Sequence, residues 1–352
     1  MSRWPDQPWW GPAVWLTGLA LLIASIAVSI TVGASNISTA GVFQIAWAKL
    51  TGGPSGMPLV REAIVWDGRM PRALLAALCG AGLAVCGAVL QSLLRNPLAD
   101  PYMLGISSGA GLGAVTMIVF GAGAASIGLA GGAFIGGAAA FVLVLLIARI
   151  AGQSVAVLIL TGVAVTQFGS AATSFVIFAF ADVHQTRGAM FWLLGSLASS
   201  SWNDVALSAV VVALALAVCF ALSAQLDAFS FGEDAASSLG VDVPRMRFLL
   251  LGVTALVTAV LVSSSGAIGF VGLTLPHAAR AVVGVKHRLL VPVSALFGAI
   301  FLVWADTAAR TLFAPEELPV GVMTALIGVP VFVAILVGKQ RRQTLATAGA
   351  GR

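Results

Sequence analysis

PYMLGISSGAGLGAVTMIVFGAGAASIGLAGGAFIGGAAAFVLVLLIA, residues 101–148, runs without a single Asp, Glu, Lys or Arg. An ionised group at the middle of a bilayer costs several kcal/mol, so long uncharged runs mark membrane spans more sharply than any short motif. A helix rising 1.5 Å per residue needs roughly 20 residues to cross the hydrocarbon layer. The run is therefore long enough for two spans, turning near Gly121–Ser126.

The same criterion, carried outward in both directions, predicts spans over residues 13–33, 73–94, 102–120, 126–148, 155–181, 205–224, 248–263, 268–285, 289–307 and 319–338, with a polar loop over 227–247. The expected fold is an all-α polytopic membrane protein, one transmembrane domain over residues 1–352. Composition agrees: charged residues are 9% and apolar residues 59%, too little polar surface to cover a water-soluble globule. The first apolar stretch is read as a retained helix, because its core is long and no small-x-small cleavage site precedes a soluble domain. With an even number of spans both termini share one side. Placing them in the cytoplasm puts eleven Lys or Arg inside, among them Arg3, Arg95, Lys339 and Arg352, against six outside, as the positive-inside rule requires.

The net charge of +5 does not predict a nucleic-acid partner. The densest basic cluster, Lys339–Arg342, directly follows a span and reads as an anchor to the lipid bilayer, as Trp9, Trp10 and Trp15 do at the other terminus. Cys79, Cys86 and Cys219 lie inside apolar segments with no metal-ligand spacing. Cys79 and Cys86, seven residues apart on one helix, sit roughly 10 Å from each other, too far for a disulfide. Forty glycines predict close helix packing, with Gly105-x-x-x-Gly109 and Gly132-x-x-x-Gly136 as examples. Asp100-Pro101 reads as an N-cap followed by proline at the first helical position of the third span, and Pro276 as a bend.

No predicted span holds an ionisable residue near its middle; Asp306 and His277 fall toward segment ends. Ion-coupled secondary transporters keep such groups, or broken helices, near the midplane, and an intramembrane enzyme needs paired catalytic groups at matched depth. Neither is present. None of the three lysines follows a Gly-x-x-x-x-Gly pattern, so the chain carries no phosphate-cradling P-loop. Transport driven by ATP requires another subunit to hydrolyse it. Residues 227–247, DAFSFGEDAASSLGVDVPRMR, restore polar composition between two spans. Ser230 or Gly232 can cap a short helix there, Glu233 and Asp234 suit its positive end, and Gly240 its stop. Such a helix is either an interfacial connector or a docking element for a motor.

Four stretches in order resemble the FecCD permeases of ABC importers, which carry ferric siderophores, haem and cobalamin: RMPRALLAALCGAGLAVCGAVLQSLLRNPLADPYMLGISSGA (69–110), WLLGSL (192–197), SGAIGFVGLTLPHAARAVVG (265–284) and ELPVGVMTALIGVP (317–330). The resemblance implies a ten-helix type II ABC importer permease fold in the cytoplasmic (inner) membrane. It also implies a second permease copy around one pathway, two ATP-binding cassette subunits below and a periplasmic substrate-binding protein above. ATP and Mg then belong to the partner ATPase, and no cofactor or metal is expected on this chain. The family's coupling loop maps to Phe229, Gly232, Glu233, Asp234, Ala235, Leu239, Gly240 and Val241. Its binding-protein docking positions map to Arg69, Arg72 and Arg310, although Arg310 has a second candidate partner in Asp306 at i, i+4. Its inner gate and pathway map to Gln153, Ser154, Val157, Thr161, Thr166, Gln167 and Ser170. The expected cargo is an iron complex, ferric siderophore or haem, with cobalamin as the alternative. His277 reads as a structural hydrogen-bonding residue, Arg280 as a contact for headgroups or the second copy, and His184 and His287 as loop residues without ligand company.

Overall fold

The structure, a computed structural model, describes residues 10–33, 38–121, 128–152 and 154–350. Trp9, Arg3, Arg352, Gln153 and most of the Gly121–Ser126 turn lie outside the described residues, as do the side chains of Trp10 and Lys339–Arg342. Among the described residues every regular element is helical: α1 Trp10–Thr31, α2 Thr39–Thr51, α3 Leu59–Ala63, α4 Met70–Leu93, α5 Ile106–Phe120, α6 Gly128–Ala151, α7 Val155–Phe180, α8 Val183–Leu193, α9 Trp202–Ala221, α10 Ser223–Phe231, α11 Glu233–Ser238, α12 Val243–Ser265, α13 Val271–Val283, α14 His287–Thr311 and α15 Val320–Ala350. A π turn at Ile64–Arg69 joins α3 to α4, so one continuous helix runs over Leu59–Leu93. Among the described residues, six helices are long and apolar enough to cross a membrane, and three shorter apolar segments, Trp15–Thr31, Ile106–Phe120 and Val320–Ile335, accompany them.

α4 is the axis of the bundle. It packs against α14, α13, α9 and α12, and nearly all of its residues are buried. Glycine makes the closest contacts possible. Gly80 and Gly298 bring α4 and α14 so near that an added Cβ on either would lie 2.1 Å from the other's carbonyl oxygen. α5 and α6 meet in the same way, Gly109 and Gly113 facing Gly136 and Gly132. Without a hydrophobic drive between helices in lipid, such contact area and its dispersion attraction hold the bundle together. Gly105 does other work: at φ +76 it lies in the left-handed region that glycine tolerates, separating a short 3-10 turn from α5. That turn, Pro101–Leu104, is what Asp100 caps, its Oδ1 accepting from Tyr102 N at 2.9 Å. The Asp100-Pro101 cap therefore opens the 3-10 turn rather than the span itself.

Among the described residues, three helices lie outside both the predicted spans and the predicted polar loop. α2 is capped by Ser38 and tied by Lys49 Nζ to Glu62 Oε1 at 2.5 Å; α3 leads into the π turn; α8 forms over residues 183–193, with His184 helical rather than in a loop.

Candidate functional site

Polar contacts gather at the two ends of the antiparallel α4–α14 pair. At the end where α4 begins, Arg72 Nε donates to both carboxylate oxygens of Asp306, at 3.0 and 3.1 Å, and Nη1 donates to Glu317 Oε2 at 2.8 Å. Asp306 is 1% exposed. Arg310 Nε lies 3.7 Å from Asp306 Oδ2, and its other nitrogens donate to the Val32 and Ser29 carbonyls at the end of α1. Arg69 donates to the Ile30 and Thr31 carbonyls, at 2.9 and 3.3 Å. The three arginines are thus brought together around two carboxylates, and much of their hydrogen bonding is internal. A shallow cavity opens beside them, lined among others by Arg187, Met190, Phe191 and Glu317.

At the opposite end lies the polar loop. α10 rests against α4 and α14, with Leu226 and Phe229 buried at 0% and 1% exposure. Gly232, at φ +116, turns the chain into α11, and Glu233 pairs with Arg247 of α12. Gly240 adopts φ +83 just beyond α11, the stop expected of it. Of the two candidate caps, Gly232 stands at the N-cap of α11, whereas Ser230 Oγ donates to Leu226 O within α10. Phe229, mapped to the coupling loop, is a core residue, buried where α10 packs against α4 and α14. The aromatic presented outward is Phe231, 77% exposed, beside Leu239, 71% exposed. Sequence reading missed Phe231, and a helical count from Leu226 and Phe229 would have found it. Asp234 is exposed, Ala235, Glu233 and Val241 partly so, and Gly232 is buried.

His277 and Arg280 are both partly buried. His277 Nε2 donates to Pro97 O at 2.8 Å, the structural hydrogen bond expected of it. Arg280 reaches Gln91 Oε1, while Gln91 Nε2 donates to the Gly272 and Leu273 carbonyls. His287 is not a loop residue either. It opens α14 and is buried between Ser92 and Asp227.

α7 leaves one face uncovered. Leu160, Ala164, Gln167, Ala171, Ser174 and Phe178 lie along it at helical spacing, all exposed, mixing small, polar and apolar surface. Of the pathway positions, Gln167 and Ser170 are exposed, Thr166 and Val157 are partly buried, and Thr161 is buried at 6% against its neighbours. Ser154 caps α7, accepting from Val157 N at 3.2 Å. Gln153 lies outside the described residues. Among the described residues no cluster of His, Cys, Asp and Glu could hold a metal ion.

The profile of the FecCD transport family matches residues 21–338. The cobalamin import system permease protein BtuC of Halobacterium salinarum is 46% identical over 82% of this chain and 77% of its own length. The Fe(3+)-citrate import system permease protein YfmE of Bacillus subtilis is 37% identical over 94% and 96%. A solved inward-facing structure of a metal-chelate type ABC transporter superposes with a TM-score of 0.82 at 31% identity, covering 93% of this chain and 99% of that one. An all-helical, integral membrane protein with this profile over nearly its whole length is an ABC importer permease, and the chain belongs to the FecCD transport family.

Proposed function

We propose that this permease carries a large metal chelate from a periplasmic binding protein to the cytoplasm, driven by two copies of a separate ATPase. The observation that carries the reading is the α10–α11 element. Two apolar side chains, Phe231 at the end of α10 and Leu239 just past α11, stand exposed, and Glu233 ties α11 to Arg247 of α12, a shape suited to a protein cleft and to passing its motion into the spans. The spans number ten in this reading: the six long helices, the three shorter apolar ones and α13. Both termini and the α10–α11 element face the cytoplasm of a bacterial inner membrane. A second copy closes the pathway, which Gln167 and Ser170 line.

The arginine end faces the periplasm. Arg69, Arg72 and Arg310 gather there with Asp306 and Glu317, and in this reading they form the surface on which the binding protein docks. For the cargo, 46% identity to a cobalamin permease against 37% to an iron-citrate permease favours the corrinoid; an iron complex is the second reading. The test is reconstitution in liposomes with the ATPase and binding protein, measuring which chelate raises ATP hydrolysis and accumulates inside. Accumulation against a gradient by the permease alone would refute the ATP-driven reading.

A further inference from the structure

His287 is 1% exposed and joins three helices at the loop end. Its Nδ1 lies 2.7 Å from Asp227 Oδ1, and its backbone N–H donates to the same oxygen at 2.8 Å. Its Nε2 lies 2.6 Å from Ser92 Oγ in the last turn of α4. Asp227 belongs to α10, which leads through Phe231 and Gly232 directly into α11. The Asp227 carboxylate also sits at the positive end of α14, where an anion is favoured.

Geometry makes this a rigid link. An imidazole carries its two nitrogens at a fixed separation, so α10 and α4 are held at a set distance through the first residue of α14. A shift of α10 by itself would leave the buried ring nitrogen of His287 without a partner, which costs more than the bond contributes. Moving α10, α14 and the end of α4 together keeps every bond. The residue beside Ser92 extends the link: Gln91 bonds the Gly272 and Leu273 carbonyls and receives Arg280, all of α13. Sequence alone placed His287 in a loop without partners.

We propose that His287 is a positioning residue for transport, transmitting displacement of the α10–α11 element to α4, α13 and α14. The inference rests on the reading that α10–α11 meets the ATPase. It adds a directional polar tie between the docking element and the bundle axis to the apolar packing of Leu226 and Phe229, independent of the chain connection into α12.

The experiment uses the full complex of permease, ATPase and binding protein in liposomes and reads chelate taken up per ATP hydrolysed. His287→Asn retains an amide where Nδ1 stands but does not reach Ser92; His287→Gln reaches toward Ser92 and leaves Asp227. Both are expected to lower uptake per ATP on the order of tenfold, as is Asp227→Asn, while the ATPase still co-purifies. An unchanged ratio in assembled variants overturns the proposal. Hydrogen exchange on the wild-type complex, with and without ATP, supplies an arm that does not depend on variant folding: segments 223–231 and 287–293 change together if linked, and independent change overturns the link. Wild-type uptake measured in parallel separates the two failures. If it does not depend on ATP, the transport reading itself falls.

Discussion

Arg72 and Asp306 form a buried two-oxygen ion pair between helices that run antiparallel, and twenty residues further along α4 Ser92 meets His287 at the other end of the same pair of helices. Twenty residues of helix span about 30 Å, the thickness of the hydrocarbon layer. The polar clamps thus sit where the bilayer ends, and glycine contact at Gly80 and Gly298 fills the interval.

Asp306→Ala leaves Arg72 and Arg310 partly buried without their shared carboxylate. Removing one partner of a buried pair costs about 3–5 kcal/mol, so the thermal midpoint in detergent should fall sharply. The double replacement Arg72→Met with Asp306→Leu should recover most of that loss. A single variant as stable as wild type would show the pair to be dispensable.

Gly298→Ala places a methyl against the Gly80 carbonyl. Overpacking of this kind costs about 1–3 kcal/mol, seen as a lower midpoint. Gly252→Ala, where nothing lies within 4 Å of the added carbon, is the matched control and should leave the midpoint within about 0.5 kcal/mol of wild type.

Phe231→Asp combined with Leu239→Asp alters two side chains more than two-thirds exposed. The permease should fold normally, with a stability change within about 0.5 kcal/mol, and lose the ATPase on co-purification. Phe229→Asp, in the core, should instead prevent folding. Retained ATPase in the first variant would remove the α10–α11 element as the docking surface.

Asp100 caps the turn before α5, and burial pushes its carboxyl up to about 6 from an ordinary value of 3.8. A carboxyl raised in the folded state binds its proton more tightly there, so stability is highest when it is protonated and is lost as pH rises from about 4 through about 6. Asp100→Asn keeps the oxygen that accepts from Tyr102 and removes the charge. Its midpoint should match wild type at pH 4 and exceed it at pH 7.5; equal midpoints at both would contradict a buried charge.

Much was legible in the residues themselves because the membrane imposes a one-dimensional rule. Uncharged runs locate α4, α6, α7, α9, α12 and α14, since every charge excluded from hydrocarbon is visible in the chain. Gly132 and Gly136 were readable as a packing face by spacing alone. Gly105, at the same spacing from Gly109, was not distinguishable as a turn residue, because its positive φ arises from the 3-10 turn before it. α2 and α8 escaped notice because both are short and partly polar, and a hydropathy criterion passes over such helices.

Lipid-spanning character, helical class and the short helix that ends at Gly240 were legible in the order of residue types, because each depends on neighbours in sequence. Which side chains meet was not. That Arg72 finds Asp306, that Ser92 and Asp227 hold His287, and that Phe229 is buried while Phe231 is presented all depend on helices distant in sequence lying side by side. Contacts between distant segments follow from packing in three dimensions, which no local pattern encodes.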